Sequence, residues 1–233
     1  IKDSLDDLLD TIARELAAGY QRIKVKIKPG WDRQVLERIR ARFPDIPLMG
    51  DANSAYTLAD LEHLRSFDAF NLMMLEQPLW HDDIWLHAQL QRQLRTAICL
   101  DESIHHARDA EQAIALGACR IINVKLGRVG GFASALEVHQ AAAQAKVPVW
   151  CGGMLESGVG RAHNIALSTL ANFSLPGDVS ASRRYWHEDI IEPEVTVSPD
   201  GTIAAPTAPG LGFAVRLDRV EALSAWSQQF GPA

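Results

Sequence analysis

Short apolar runs alternate with stretches of helical period along most of this chain. RIKVKI (22–27), IPLMGDAN (46–53), the run over 70–75, AICLD (97–101), RIINVK (120–125) and VPVWC (147–151) read as strands, with a further short strand near 177–181. Most are apolar on both faces, as strands of a parallel sheet covered by helices are. Between them the spacing predicts helices over 32–42, 57–66, 82–94, 107–116, 131–144 and 158–170, and one over 3–18 stands before the first strand, with Asp3 or Ser4 as its cap. Gly19 and Pro29-Gly30 punctuate the first units. After Trp186 the alternation stops. Residues 191–212 carry Pro193, Pro199, Pro206 and Pro209, which predicts an irregular tail with one hairpin around Pro199-Asp200-Gly201 and a closing helix over 216–229.

Strand and helix in strict alternation predict an α/β fold of the β/α-barrel type. The strand count is seven, and a barrel needs another ahead of residue 1, since an open parallel sheet leaves two bare edges. The expectation is therefore the C-terminal part of a longer protein, with the catalytic barrel over 1–190 incomplete at its start and a tail over 191–233. Composition narrows the function. With 233 residues, 47% hydrophobic and 22% charged, the chain can bury a sizeable core. A net charge of −6 without a basic run argues against nucleic acid. No apolar stretch reaches the roughly 18 residues that span a membrane, and no secretory pattern opens the chain. Cys99, Cys119 and Cys151 lie in or beside apolar runs without a CxxC pair, which suits buried thiols in a reducing cytoplasm.

Lys26, Asp51, Glu76, Asp101 and Lys125 follow one another at steps of 25, 25, 25 and 24 residues, by subtraction of their positions. Each ends an apolar run, and one barrel unit has about this length, so the five are expected at one mouth. Three converging carboxylates repel one another unless a cation joins them. A hard divalent ion, Mg²⁺ or Mn²⁺, suits all-oxygen ligands. Lys24 and Lys26 share one face of their strand by the period of two. Two readings stand: both point inward, where a lysine beside another cation becomes less basic and can take a proton, or both point outward past a helix, as the matching parity of Arg22 and Lys28 allows. Arg128, one turn beyond Lys125, could adjust the Lys125 pKa, though it reads first as a plain surface ion pair. His105, His106 and His163 read as structural or solvated.

The set KVKIKPGWD, DANSAYTLAD, LEQPL, CLDES, INVKLGRVGG and VWCGGMLESGVGRAHN resembles the enolase superfamily, over residues 20 to about 190. Within it the KxK motif matches the muconate-lactonising subgroup, and the likeness is greatest to the o-succinylbenzoate synthases and N-acylamino acid racemases. The resemblance implies a (β/α)7β barrel, here lacking its first strand and an N-terminal α+β cap domain that a separate fragment could supply. It implies Mg²⁺ on Asp51, Glu76 and Asp101, Lys26 and Lys125 as the acid/base pair, and Lys24 tuning Lys26. Asn53 and Glu102 would stand in or just behind the ligand shell, or serve as turn and capping residues. Gly152, Gly153 and Met154 would border a small carboxylate substrate, or simply form a tight turn. The implied chemistry is abstraction of a proton α to a carboxylate through an enediolate, ending in dehydration (for menaquinone biosynthesis) or racemisation. Alternatives are a dipeptide epimerase, a muconate-type cycloisomerase or an inactive barrel fragment. The CGGMLES run disfavours the epimerase, and Cys151 or Gly152 where a histidine is wanted disfavours the mandelate racemase branch. Homo-oligomers are usual in the family.

Overall fold

Burying both faces of a strand requires cover on both, and helices supply it on the outer side here. The computed structural model describes residues 4–228. Its order is α1 (Leu5–Ala17), β1 (Ile23–Lys26), α2 (Arg33–Arg42), β2 (Leu48–Asp51), α3 (Leu61–Ser66), β3 (Met74–Glu76), α4 (Ile84–Gln91), β4 (Ile98–Leu100), α5 (Ala107–Leu116), β5 (Ile121–Val124), a short α6 (Leu126–Val129), α7 (Phe132–Gln144), β6 (Val149–Cys151), α8 (Gly158–Ser168), β7 (Ile191–Glu192), β8 (Ala214–Val215) and α9 (Leu217–Leu223). Strands β1 to β6 form one parallel sheet in sequential order, the strand order of a barrel wall. Outward residues such as Val25, Leu48, Leu75, Leu100 and Val124 pack with Val35, Leu36, Leu64, Ala113 and Val138 into the main core. Inward residues Met49, Met74, Cys99, Ile121 and Trp150 form a second, smaller core inside the curve of the sheet.

Ser4 holds the predicted cap of α1, its Oγ accepting from the Asp7 N–H at 3.1 Å; Asp3 lies outside the described residues. The predicted strand over 70–75 starts late, because Phe67–Phe70 is a 3-10 turn and Asn71 follows at φ 47°. The seventh strand, expected near 177–181, does not form. The Asp178 N–H donates to the Cys151 carbonyl at 2.9 Å, but no ladder follows. A parallel strand there has a neighbour on one side only, and the chain turns into a 3-10 turn at Ser182–Arg184. The tail holds a predicted turn, with Gly201 N–H on the Ser198 carbonyl at 2.9 Å. Its only ladder among the described residues is one that the sequence does not suggest, the antiparallel pair β7–β8. The closing helix is shorter than 216–229. No residue of α9 is buried, and a helix without a packed face is not sustained; residue 229 lies outside the described residues. No described helix is long and apolar enough to cross a membrane.

Candidate active site

On β1 the odd positions Ile23 and Val25 are buried against the helices, so the even positions face inward. This settles the choice between the two readings of the lysines. Lys26 Nζ lies 2.7 Å from Asp51 Oδ2, and Lys24 Nζ lies 3.5 Å from both Asp51 Oδ2 and Glu76 Oε2. Arg22 shares the inward face, stacks over the Trp150 ring at 4.5 Å and, like Lys24, pairs with Asp178.

The near-constant step along the chain is not a constant row in the sheet. Lys26 pairs in register with Asp51, and Asp51 with Glu76. Glu76 then pairs with Cys99, and Cys99 with Ile121. Asp101 therefore stands two residues past the row and Lys125 four, the stagger that strand tilt imposes on a barrel wall. Both offsets are even, so all five side chains keep the inward face. The carboxylates of Asp51, Glu76 and Asp101 are 1%, 0% and 1% exposed. Lys125 Nζ lies 2.7 Å from Asp101 Oδ2. Asn123, two residues before Lys125 on the same face, donates from Nδ2 to Glu76 Oε1 at 2.7 Å.

Arg128 departs from the surface ion pair expected of it. Its side chain is largely buried and pairs with Asp101 Oδ1, while Nε and Nη2 donate to the Ile104 and Asn123 carbonyls at 2.7 and 2.6 Å. The short α6 after Lys125 brings it back over the site. Asn53, at φ 41°, bridges the rim: it accepts from Lys26 Nζ and donates to Glu102 Oε1 at 2.8 Å. Gly152 leaves room for Lys125, since a Cβ there would lie 2.7 Å from Lys125 Cγ and meet Asn123 Oδ1. A Cβ on Gly153 would lie 2.9 Å from the Asp178 carbonyl oxygen. The Met154 side chain is exposed, and its N–H is held by Glu156 at 2.8 Å. His106 caps α5 with Asp109, His105 is exposed beside it, and His163 packs edge-on to Phe132 at 5.4 Å.

The charges are tightly opposed. Burial pushes the Glu76 carboxyl up to about 8; Lys24 opposes that rise, while Asp51 and Asp101 add to it. Burial also works against the Lys24 ammonium, but Glu76, Asp178 and Asp51 outweigh it and hold Lys24 above the usual lysine range. Burial works against the Asp101 charge too, yet Arg128 and Lys125 hold its carboxyl below the usual range. Among the described residues, no three acidic, cysteine or histidine side chains close on a common point as a ready metal cage. Amines take the carboxylate oxygens instead. The donor set nevertheless fits a hard divalent ion: three buried carboxylates on adjacent strands, with the buried Asn123 Oδ1 and Glu102 Oε2 lacking any hydrogen-bond partner.

A family model described as enolase C-terminal domain-like matches residues 7–219. The chain belongs to the enolase superfamily. An o-succinylbenzoate synthase from Geobacillus kaustophilus is 57% identical over 230 residues, which are 99% of this chain and 61% of that protein. An N-succinylamino acid racemase from Thermus thermophilus is 50% identical over 228 residues, 98% of this chain and 62% of that protein. The solved structure of an enolase superfamily member from Listeria innocua superposes with a TM-score of 0.91 at 45% identity, covering 95% of this chain and 60% of that one. This superfamily chain thus spans about three fifths of the relatives that it matches. Two residues of its site, Asn123 and Asp178, are not singled out by the sequence, and Arg22, whose parity allowed an outward face, points inward. Parity alone could have found Asn123, two places before Lys125.

Proposed function

We propose that this site removes a proton α to the carboxylate of a small substrate, as an o-succinylbenzoate synthase, an N-succinylamino acid racemase, or both. One observation carries the proposal. Two lysines from strands four apart in the sheet each rest on an outer member of one buried acidic trio, Lys26 on Asp51 and Lys125 on Asp101. Asp51, Glu76 and Asp101 would hold Mg²⁺, with Mn²⁺ as a substitute. When bound, that ion supplies a Lewis acid for the substrate carboxylate. The trio's charge would then be met by the ion, which frees the Lys26 and Lys125 amines to face substrate. Lys24 stays a cation beside Glu76 and Asp178, and Lys26 keeps its orientation through Asn53. In racemisation, one lysine takes the proton from one face and the other returns one to the opposite face. In dehydration, one lysine takes the α-proton, the C–O bond to the substrate's β-hydroxyl breaks so that hydroxide and that proton leave as water, and the other lysine stabilises charge. Gly152 and Gly153 allow the backbone to approach the site closely, with Met154 on the substrate side.

The o-succinylbenzoate synthase at 57% identity supports the first outcome and the N-succinylamino acid racemase at 50% the second. Three buried free thiols suit a reducing compartment, the cytoplasm. The test is turnover of both substrate classes with and without Mg²⁺, together with exchange of the α-proton for deuterium. Mg²⁺-dependent exchange is expected; exchange that persists after Lys26→Ala and Lys125→Ala are combined would refute the proposal.

A further inference from the structure

The stagger between β3 and β4 creates a problem that one residue solves. The Gln77 N–H donates to the Cys99 carbonyl at 2.9 Å. A parallel ladder continued one step further would have the Asp101 N–H donate to the Gln77 carbonyl. It does not, because Gln77 stands at φ 39°, in the left-handed region that a side chain disfavours. Its carbonyl turns to the other side and accepts from the Ser54 N–H at 2.8 Å. Its side chain fills the vacated place. Gln77 Oε1 accepts from the Asp101 N–H at 3.0 Å and the Ser103 N–H at 3.2 Å. Nε2 donates to Ser103 Oγ at 2.8 Å and to the Leu79 carbonyl at 3.2 Å. Gln77 is 0% exposed, and both ends of its amide are satisfied on both sides. Ser54, which its carbonyl pins, adjoins Asn53, and both have positive φ. One residue thus joins the ends of β2, β3 and β4, the three strands that carry the acidic trio.

We infer that Gln77 is the positioning residue of the trio: its turned carbonyl and its side-chain amide fix the spacing of Asp51, Glu76 and Asp101 and so set the affinity for a divalent ion. The inference rests on the function proposed above. Strained backbone held by surrounding hydrogen bonds is a known way to pre-organise a site, and partners behind a ligand shell tune the metal within it. The probe is Mn²⁺ alone on the full chain, by calorimetry and by electron paramagnetic resonance, below the melting temperature of each variant. Gln77→Met is expected to lose about 10- to 100-fold in Mn²⁺ affinity and to change the Mn²⁺ spectrum. Ser103→Ala, which removes one anchor of the amide, is expected to lose less in the same direction. Gln91→Met removes a buried amide at the opposite end of β4, where Gln91 Oε1 accepts from the Ile98 N–H at 2.7 Å; it is expected to lower stability while leaving Mn²⁺ affinity unmoved. A folded Gln77→Met with unchanged affinity and spectrum overturns the inference. Should that variant not fold, unchanged affinity in Ser103→Ala overturns it. Absence of Mn²⁺ binding by the unmodified chain defeats the proposed function and this inference together; binding that none of the variants moves defeats this inference alone.

Discussion

Lys26 and Lys125 hold matching stations on the acidic trio but differ in freedom, with side chains 45% and 15% exposed. The partly buried Lys125 amine is confined by Asp101, and by Gly152 packed against its stem. Loss of a positioned acid or base typically costs 10²- to 10⁴-fold. Under the proposed function, Lys26→Ala and Lys125→Ala are each expected to reduce racemisation by about that factor, while dehydration loses less with whichever lysine only stabilises charge. Parallel assays of both reactions measure this; equal losses would rule out the division of roles. Gly152→Ala places a methyl 2.7 Å from Lys125 Cγ. The methyl also meets the buried Asn123 Oδ1; overpacking of this kind costs about 1–3 kcal/mol and displaces both the Asn123 amide and the Lys125 stem. The expected result is a folded protein with kcat lowered at least tenfold, checked by melting temperature and turnover on one preparation.

At the scale of elements, α4 is tied to the loop after β3 by a single buried imidazole. His87 is 0% exposed; its Nε2 accepts from the Leu79 N–H at 3.2 Å and its Nδ1 lies 2.9 Å from the Asp83 carbonyl. Burial lowers its pKa to about 4, with the bond to Asp83 only partly opposing. The neutral ring is therefore the folded form. Between about 6.5 and about 4 the unfolded chain binds the proton more readily than the folded one, so stability is present above that window and is lost as pH falls through it. The full difference is of order 3 kcal/mol at one to two kcal/mol per pKa step. Urea unfolding at pH 7 and pH 4.5 is expected to show much of this loss, and His87→Gln to flatten the difference while lowering stability at pH 7. The tail behaves differently. Its β7–β8 pair and the cluster of Ile165, Ile191 and Val195 attach it to α8, not to the main core.

At the scale of the whole molecule, β1 is an edge. The Ile23 and Ile27 N–H groups bond to the carbonyls of Pro47, just before β2, and Asp51, at its end, at 2.9 Å each, so by alternation the backbone groups of Lys24 and Lys26 face away from the sheet. They face a groove of about 560 Å³ whose far wall is Gly177 to Ser180. Among the described residues, side chains reach across it, Arg22 and Lys24 to Asp178 and Arg184 to Glu15 at 3.1 Å. A bare parallel edge seeks a partner, and one more strand would close the wall. The chain spans 61% of its Geobacillus kaustophilus relative. We expect the region of that relative which lies outside the match, added as a separate polypeptide, to raise Mg²⁺-dependent turnover at least tenfold. Full turnover by the bare chain would refute this.

Period-2 alternation and chain spacing determined much by themselves. They located the six strands and placed Lys24, Lys26, Asp51 and Glu76 on them and Asp101 and Lys125 one residue past their ends. These are local facts, since a strand's parity follows from its own residues, and even register offsets cannot undo it. What lies across strands was not legible. The stagger that moves Asp101 past the row, the Asp178 partner lying 156 residues from Arg22, the buried place of Arg128 and the turned carbonyl of Gln77 all depend on how neighbouring strands slide and curve. The same holds for 177–181, which has strand-like residues but no second edge to bond. Backbone pairing and burial are properties of two or more segments together, and only the assembled sheet fixes them.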